Sequence, residues 1–220
     1  MSRKVVIFGT GEFATVARVY LDEDSDDQVV AFTVHARYVT GDELEGLPVV
    51  PFEELETLYP PDEVSMFVAI GFSRVNRARA EIFDECKARG YELISYVCSK
   101  ATVWGDLDIG ENSFVFENNV IQPFARIGSD VVLWSGNHVG HHAVIGDHCF
   151  ITSHVVISGG VRVGDYCFIG VNATLRDHIT IGPSTVIGAG ALVMKDTEGE
   201  SVYTEPRTRA SDRRSSELDM

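Results

Sequence analysis

Residues 127–182 read IGSDVVLWSGNHVGHHAVIGDHCFITSHVVISGGVRVGDYCFIGVNATLRDHITIG, and a six-residue step through them decides the fold. Taken from Val103, that step meets Val103, Ile109, Val115, Ile121, Ile127, Leu133, Val139, Ile145, Ile151, Ile157, Val163, Ile169, Leu175, Ile181, Ile187 and Val193. All sixteen are Val, Ile or Leu, with no insertion. A second period lies on top, because Gly110, Gly128, Gly146, Gly164 and Gly182 stand 18 residues apart and each follows the aliphatic. Three hexapeptides therefore make one turn of a coil, and the same corner returns on every turn. One branched aliphatic per side points into a prism. Two residues earlier the side chain also faces inward and is small: Ala125, Ala143, Ala173 and Ala191, with Ser113, Cys149, Cys167 and Thr185. Strands of successive turns run parallel at about 4.8 Å, so residue n lies beneath n + 18. This predicts a parallel β-helix of about five coils, with the recurring corner glycines supplying unusual backbone angles. An antiparallel sandwich would need period-two alternation broken by varied loops.

Before the coils, KVVIFG (4–9) reads as a buried strand, followed by a Gly-rich turn and a helix through Leu21. QVVAFTV (28–34), VSMFVAIGF (64–72) and YELISYV (91–97) read as further strands, and PFEELETLY (51–59) and RVNRARAEIFDECKARG (74–90) as helices. The acidic run Asp22–Asp27 reads as a solvated turn. Strand alternating with helix is a small doubly wound α/β domain. The expected organisation is thus a Rossmann-like βαβαβ domain over 1–98 and the β-helix over 99–196. A short extension and disordered tail should fill 197–220.

Gly9-Thr10-Gly11 after a strand suggests a phosphate at a helix N-terminus. The third position of the dinucleotide pattern is Ala14, and the second strand ends Thr33-Val34-His35-Ala36 with no acidic residue. An NAD dehydrogenase is disfavoured, since a domain of this size holds half of a dinucleotide fold. A mononucleotide or nucleotide-sugar pocket fits better; a tight turn with no ligand is the plainer alternative.

The 220 residues carry 18 Lys plus Arg against 33 Asp plus Glu, a formal net charge of −15. Neither half is basic, so nucleic acid and anionic membrane are poor partners. No apolar run approaches the ~20 residues of a membrane span, and the N-terminus reads as a strand rather than a signal peptide. The four cysteines form no CxxC pair, which fits reduced thiols in the cytoplasm.

Six of the seven histidines fall within 138–178. His141 lies two residues past the inward Val139, at or near a corner, and His141 + 18 is Gly159. An imidazole beneath a glycine sets a proton acceptor beside a backbone N–H able to hold an oxyanion. Acyl transfer from a thioester needs that pair. His35, His148, His154 and His178 read as turn or surface residues, and His138 as outward-facing. Asn119 and Asn137 read as a structural amide ladder, and Cys149 and Cys167 as stacked core thiols.

In combination, IFGTGEF, AIGFSRVNRAR (69–79), GHHAVIGDHCFITSHVVISGGVRVGDYCFIGVNATL (140–175) and IGAGALVMKD (187–196) resemble the hexapeptide-repeat sugar acyltransferases. That group includes sialic acid O-acetyltransferases and UDP-N-acetylbacillosamine N-acetyltransferases. The resemblance implies a left-handed β-helix, a homotrimer with active sites between prisms, acetyl-CoA as donor, and a sugar nucleotide on the N-terminal domain. It implies His141 as general base, Gly159 as the oxyanion N–H, and main-chain CoA contacts at Val171 and Ala189. Gly9, Gly11, Glu12 and Phe13 match the nucleotide-sugar loop, flanked by Gly71 and Ser73. His142 departs from the usual acidic neighbour of the base, and His35 from a common acidic nucleotide contact.

The activity expected is N-acetylation of a nucleotide-linked amino sugar, with O-acetylation of a sugar hydroxyl close behind. A metal-dependent lyase resembling hexapeptide-repeat carbonic anhydrases would use His138, His142 and a third imidazole. A sugar-nucleotide-binding scaffold without catalysis is the remaining alternative.

Overall fold

The computed structural model describes residues 3–204, so most of the expected C-terminal tail lies outside the described residues. The N-terminal elements are β1 (Lys4–Phe8), α1 (Glu12–Asp24), β2 (Gln28–Val34), β3 (Glu43–Leu44), β4 (Leu47–Pro51), α2 (Leu55–Leu58), β5 (Ser65–Val68) and α3 (Arg77–Ala88). The sheet order is β3-β4-β2-β1-β5, parallel except for the β3–β4 hairpin. That hairpin was not expected from the sequence. Val5, Val6, Ile7 and Phe8 are buried on both faces, which is why β1 is an unbroken apolar run.

Three boundaries differ from expectation for local reasons. α3 begins at Arg77, because Arg74, Val75 and Asn76 all take left-handed angles (φ 54°, 53° and 66°). Residues 91–97 do not add a full strand; Leu93 makes a single bridge to Met66, and Tyr96–Val97 instead opens the coil. The acidic run is partly helical, and its Asp24 serves as a clamp described below.

From residue 96 the chain winds a three-faced prism of two-residue strands, with seven, six and five strands per face. Ile121 pairs with Val139, Ile145 with Val163 and Ile151 with Ile169, the register of n with n + 18. This is a left-handed parallel β-helix, filled by one continuous aliphatic core. The ladder continues past Asp196 to Val202–Tyr203, where Val186 meets Val202 and the step shortens. Corner glycines are needed for a reason other than backbone angle. A Cβ on Gly164 would sit 2.7 Å from Pro183 N, so the coil above leaves no room. The left-handed angles fall two residues later, at Asn112, Asp130, His148, Tyr166 and Ser184.

The seven-strand face carries an outward stripe of Tyr96, Phe114, Val132, Phe150 and Phe168, spaced by the same 18 residues. The α/β unit packs on that stripe. Phe13 contacts Phe67, Phe114, Phe116, Trp134 and Phe150 within one apolar cluster. Arg79 crosses the seam fully buried: its Nε donates to Asp130 Oδ1 at 2.9 Å and its Nη2 to Asp130 O at 2.8 Å. Asn112 Nδ2 also donates to Asp130 Oδ1 at 2.7 Å, and His148 Nδ1 lies 2.9 Å from Asp130 Oδ2. His148 is therefore part of this lock rather than a surface turn residue. Asn119 and Asn137 are buried and structural, but they form no ladder: both donate to Trp134 O, and Asn119 Oδ1 has no partner among the described residues.

Removing one partner of a buried ion pair leaves the other charge uncompensated, which costs about 3–5 kcal/mol. Arg79→Met should lower the unfolding free energy by about that amount in denaturant titration; an unchanged midpoint would refute the lock. At the other end of the seam, the Asp24 carboxylate accepts from the Ser99 hydroxyl, Tyr96 Oη and Ser99 N–H, which hold its carboxyl well below the usual range. A depressed folded-state pKa gives stability that is present above the unfolded carboxylate range and lost as pH falls through the folded value. Asp24→Asn should therefore be less stable than the parent at neutral pH, with the gap closing in acid.

Candidate active site

His141 sits exposed at a prism corner, where its backbone N–H donates to Gln122 Oε1 at 2.9 Å. Its ring presents the Nε2 edge to Gly159 one coil above: a Cβ there would meet His141 Cε1 and Nε2, both at 2.7 Å. The two backbones are tied by Gly160 N–H donating to His141 O at 2.8 Å. Gly159 O accepts from His178 N–H at 3.0 Å, yet Gly159 N–H meets no acceptor among the described residues.

That free donor has a cause in the neighbouring residues. On another corner two amides are capped by the carboxylate 18 residues on: Ser129 N–H by Asp147 at 2.7 Å and Asp147 N–H by Asp165 at 3.0 Å. Above Gly159 stands Asp177, whose carboxylate lies toward Arg176 instead, at 3.7 Å. The His141 amide is met from 19 residues behind by Gln122, but for Gly159 that position is Gly140, which has no side chain. Both capping routes are closed. The His141 imidazole borders a cleft of about 570 Å³ lined also by His142, Gly160, Arg162, His178 and Thr180, and the unspent N–H belongs to the residue next to Gly160.

The other residues expected at the site divide between two places. Val171 and Ala189 stack on a different corner, tied by Gly190 N–H to Val171 O at 2.8 Å and exposed to solvent. Within one chain they are not brought to His141. Gly9, Gly11, Glu12 and Phe13 line a separate cavity of about 930 Å³ on the α/β unit. His35, Gly71 and Ser73 line the same cavity. Gly9 is required there, since its φ of +133° and a Cβ 2.7 Å from Ala69 O leave no alternative. The N-terminus of α1 opens at Gly11 with backbone donors unspent by the helix. Phe13 lines this cavity and also belongs to the aromatic seam.

His35 is not a lone substitute for an acidic residue. Its Nδ1 lies 3.1 Å from Glu53 Oε1 and its Nε2 3.3 Å from Glu85 Oε2, so carboxylates arrive from elsewhere in the fold. Neither was singled out by sequence, nor was Gln122. Gln122 was readable in principle, standing one coil and one residue before His141. His138 lies on the six-strand face, and among the described residues no three His, Cys, Asp or Glu side chains converge as a metal site.

The family model described as bacterial transferase hexapeptide (six repeats) matches residues 124–159 and 160–195. That match covers 72 of the 220 residues, all of them on the coil. The acetyltransferase domain of PglB from Neisseria gonorrhoeae FA1090 matches with a TM-score of 0.84 at 25% identity, over 93% of this chain and 97% of that one. PerB from Caulobacter crescentus, in complex with CoA and GDP-perosamine, matches with a TM-score of 0.83 at 29% identity, over 92% and 94%. WeeI from Acinetobacter baumannii AYE shares the fold, with a TM-score of 0.70 at 20% identity over 91% and 96%. No curated protein sequence matches the chain. The first of the two matched segments contains both His141 and Gly159.

The contact between Gly159 and the His141 ring makes a sharp prediction. Gly159→Ala adds a methyl that the backbone tolerates but the imidazole does not, so the ring must move off its seat. Turnover should fall at least tenfold while the melting temperature stays within a few degrees. Parent-like turnover in this variant would show that the ring's position is immaterial.

Proposed function

We propose that the chain is an acetyl-CoA-dependent N-acetyltransferase acting on the amino group of a nucleotide-linked amino sugar. The observation that carries this reading is the His141 imidazole lying against Gly159, whose N–H is unspent. The amine nitrogen attacks the thioester carbonyl, forming the C–N bond and placing charge on the carbonyl oxygen. Gly159 N–H donates to that oxyanion, and His141 Nε2 takes the ammonium proton as the intermediate forms. The C–S bond then breaks and CoA leaves as the thiolate, which is protonated in solvent.

The cavity around Gly9 and Gly11 would hold the nucleotide, its phosphates meeting the α1 N-terminus. The complex of PerB with CoA and GDP-perosamine supports a reading in which one such chain takes both a CoA donor and a nucleotide-linked sugar. Val171 and Ala189 stand on another corner, so a pantetheine arm touching both them and His141 requires a neighbouring prism. We therefore read the working unit as a homotrimer with shared clefts. No helix among the described residues is long and apolar enough to cross a membrane, and the reduced thiols fit a cytoplasmic enzyme.

General-base action contributes about 10²–10⁴-fold. His141→Ala and His141→Asn should lose that much kcat on a panel of nucleotide-linked amino sugars, with CoA release as the readout and the melting curve unchanged. Near-parent turnover would remove the assignment. Faster turnover with hydroxyl-bearing sugars than with amines would replace N-transfer by O-transfer.

A further inference from the structure

His142 follows the candidate base where the resemblance implies a carboxylate, and its exposed ring meets that of His141. His141 Nδ1 and His142 Nδ1 lie 3.2 Å apart, with the rings edge to face at a centroid distance of 5.3 Å and 84°. His142 is held on its far side by the Phe124 ring at 4.7 Å, and its backbone N–H donates to Pro123 O at 3.2 Å. Among the described residues, no carboxylate hydrogen-bonds either imidazole.

Only one proton fits between two facing nitrogens. The Nε2 edge of His141 faces Gly159 and the cleft, so a base working there needs Nε2 bare and its neutral-state proton on Nδ1. We propose that His142 is the positioning residue of this site, a neutral imidazole whose Nδ1 accepts the His141 Nδ1–H and fixes the base in its productive tautomer. This rests on the acyl-transfer reading above and deepens it.

An imidazole can perform this role without bringing a charge. It orients the base as a carboxylate would, but stabilises the imidazolium formed in the reaction less. The titratable and charged groups facing His142 across its two bordering clefts are Asp106, Asp108, Arg126, Arg162 and His178, in addition to His141 itself. Their opposed charges leave the His–His contact as the specific interaction.

The test compares two variants of the full chain. His142→Phe keeps an aromatic ring against Phe124 but offers no acceptor; kcat should fall about tenfold to a hundredfold, less than on loss of the base itself, with both KM values unchanged. His142→Glu should restore kcat to within a few-fold and move the acid limb of kcat/KM to higher pH by about one unit, because an anion favours the protonated imidazole. Nitrogen-15 histidine spectra need no substrate: His141 should be the Nδ1–H tautomer in the parent and lose that preference in His142→Phe. Parent-like kcat in His142→Phe, an acid limb unmoved in His142→Glu, or a parent His141 protonated on Nε2 would each overturn the proposal. If His141→Ala also turns over normally, the acyl-transfer reading fails first; if it is inactive while His142→Phe is not, the positioning role alone fails.

Discussion

The site depends on one constraint, the 18-residue parallel register of the coil. Branched aliphatics stacked along the axis, such as Ile145 beneath Val163 and Ile151 beneath Ile169, admit no slip without exposing the row. That register sets residue 159 over residue 141. The chemistry then follows from what occupies neighbouring rungs. Glycine at 159 lets the imidazole lie against the backbone, glycine at 140 removes a side chain that could cap the amide, and the Asp177 carboxylate turns toward Arg176. The scaffold caps the amides of Ser129 and Asp147 with the carboxylates of Asp147 and Asp165, and leaves that of Gly159 uncapped beside the His141 imidazole.

The second structural decision is how the α/β unit is fixed to the coil. An outward aromatic stripe supplies apolar area, and Arg79 threads the seam to Asp130, which also gathers Asn112 and His148. Three groups around one buried carboxylate make this joint directional as well as adhesive. It gives the cavity around Gly9 and His35 a fixed relation to the prism, which an enzyme bringing a tethered sugar to a thioester requires. Asn76, at the left-handed turn before α3, adds a bond to Cys167 O at 3.0 Å on the same joint.

The coil was legible because its determinants are local and periodic. Each inward residue announces itself six positions later, and Gly159 over His141 is simple addition once the turn length is known. The pocket residues of the first βα turn were legible for a similar reason, since the motif is short and its Gly9 carries a backbone requirement. What was not legible joins residues far apart in the chain. Arg79 and Asp130 are 51 residues apart with no shared period, and His35 receives Glu53 and Glu85 from two other elements. The aromatic stripe was a missed signal rather than an absent one, because Phe114, Phe150 and Phe168 obey the same spacing on outward positions. The corner glycines were found for the wrong reason: crowding by the next coil, not backbone angle, requires them.

In the proposed reaction, one corner of the coil presents an imidazole and an unspent amide to a thioester. A crystal structure of the full chain with a non-hydrolysable acetyl-CoA analogue tests it most directly. The account predicts the carbonyl oxygen about 2.7–3.1 Å from Gly159 N, with open space for an amine at His141 Nε2. An acyl group seated at another corner, with Gly159 N–H bonded to protein or pointing away, would contradict it.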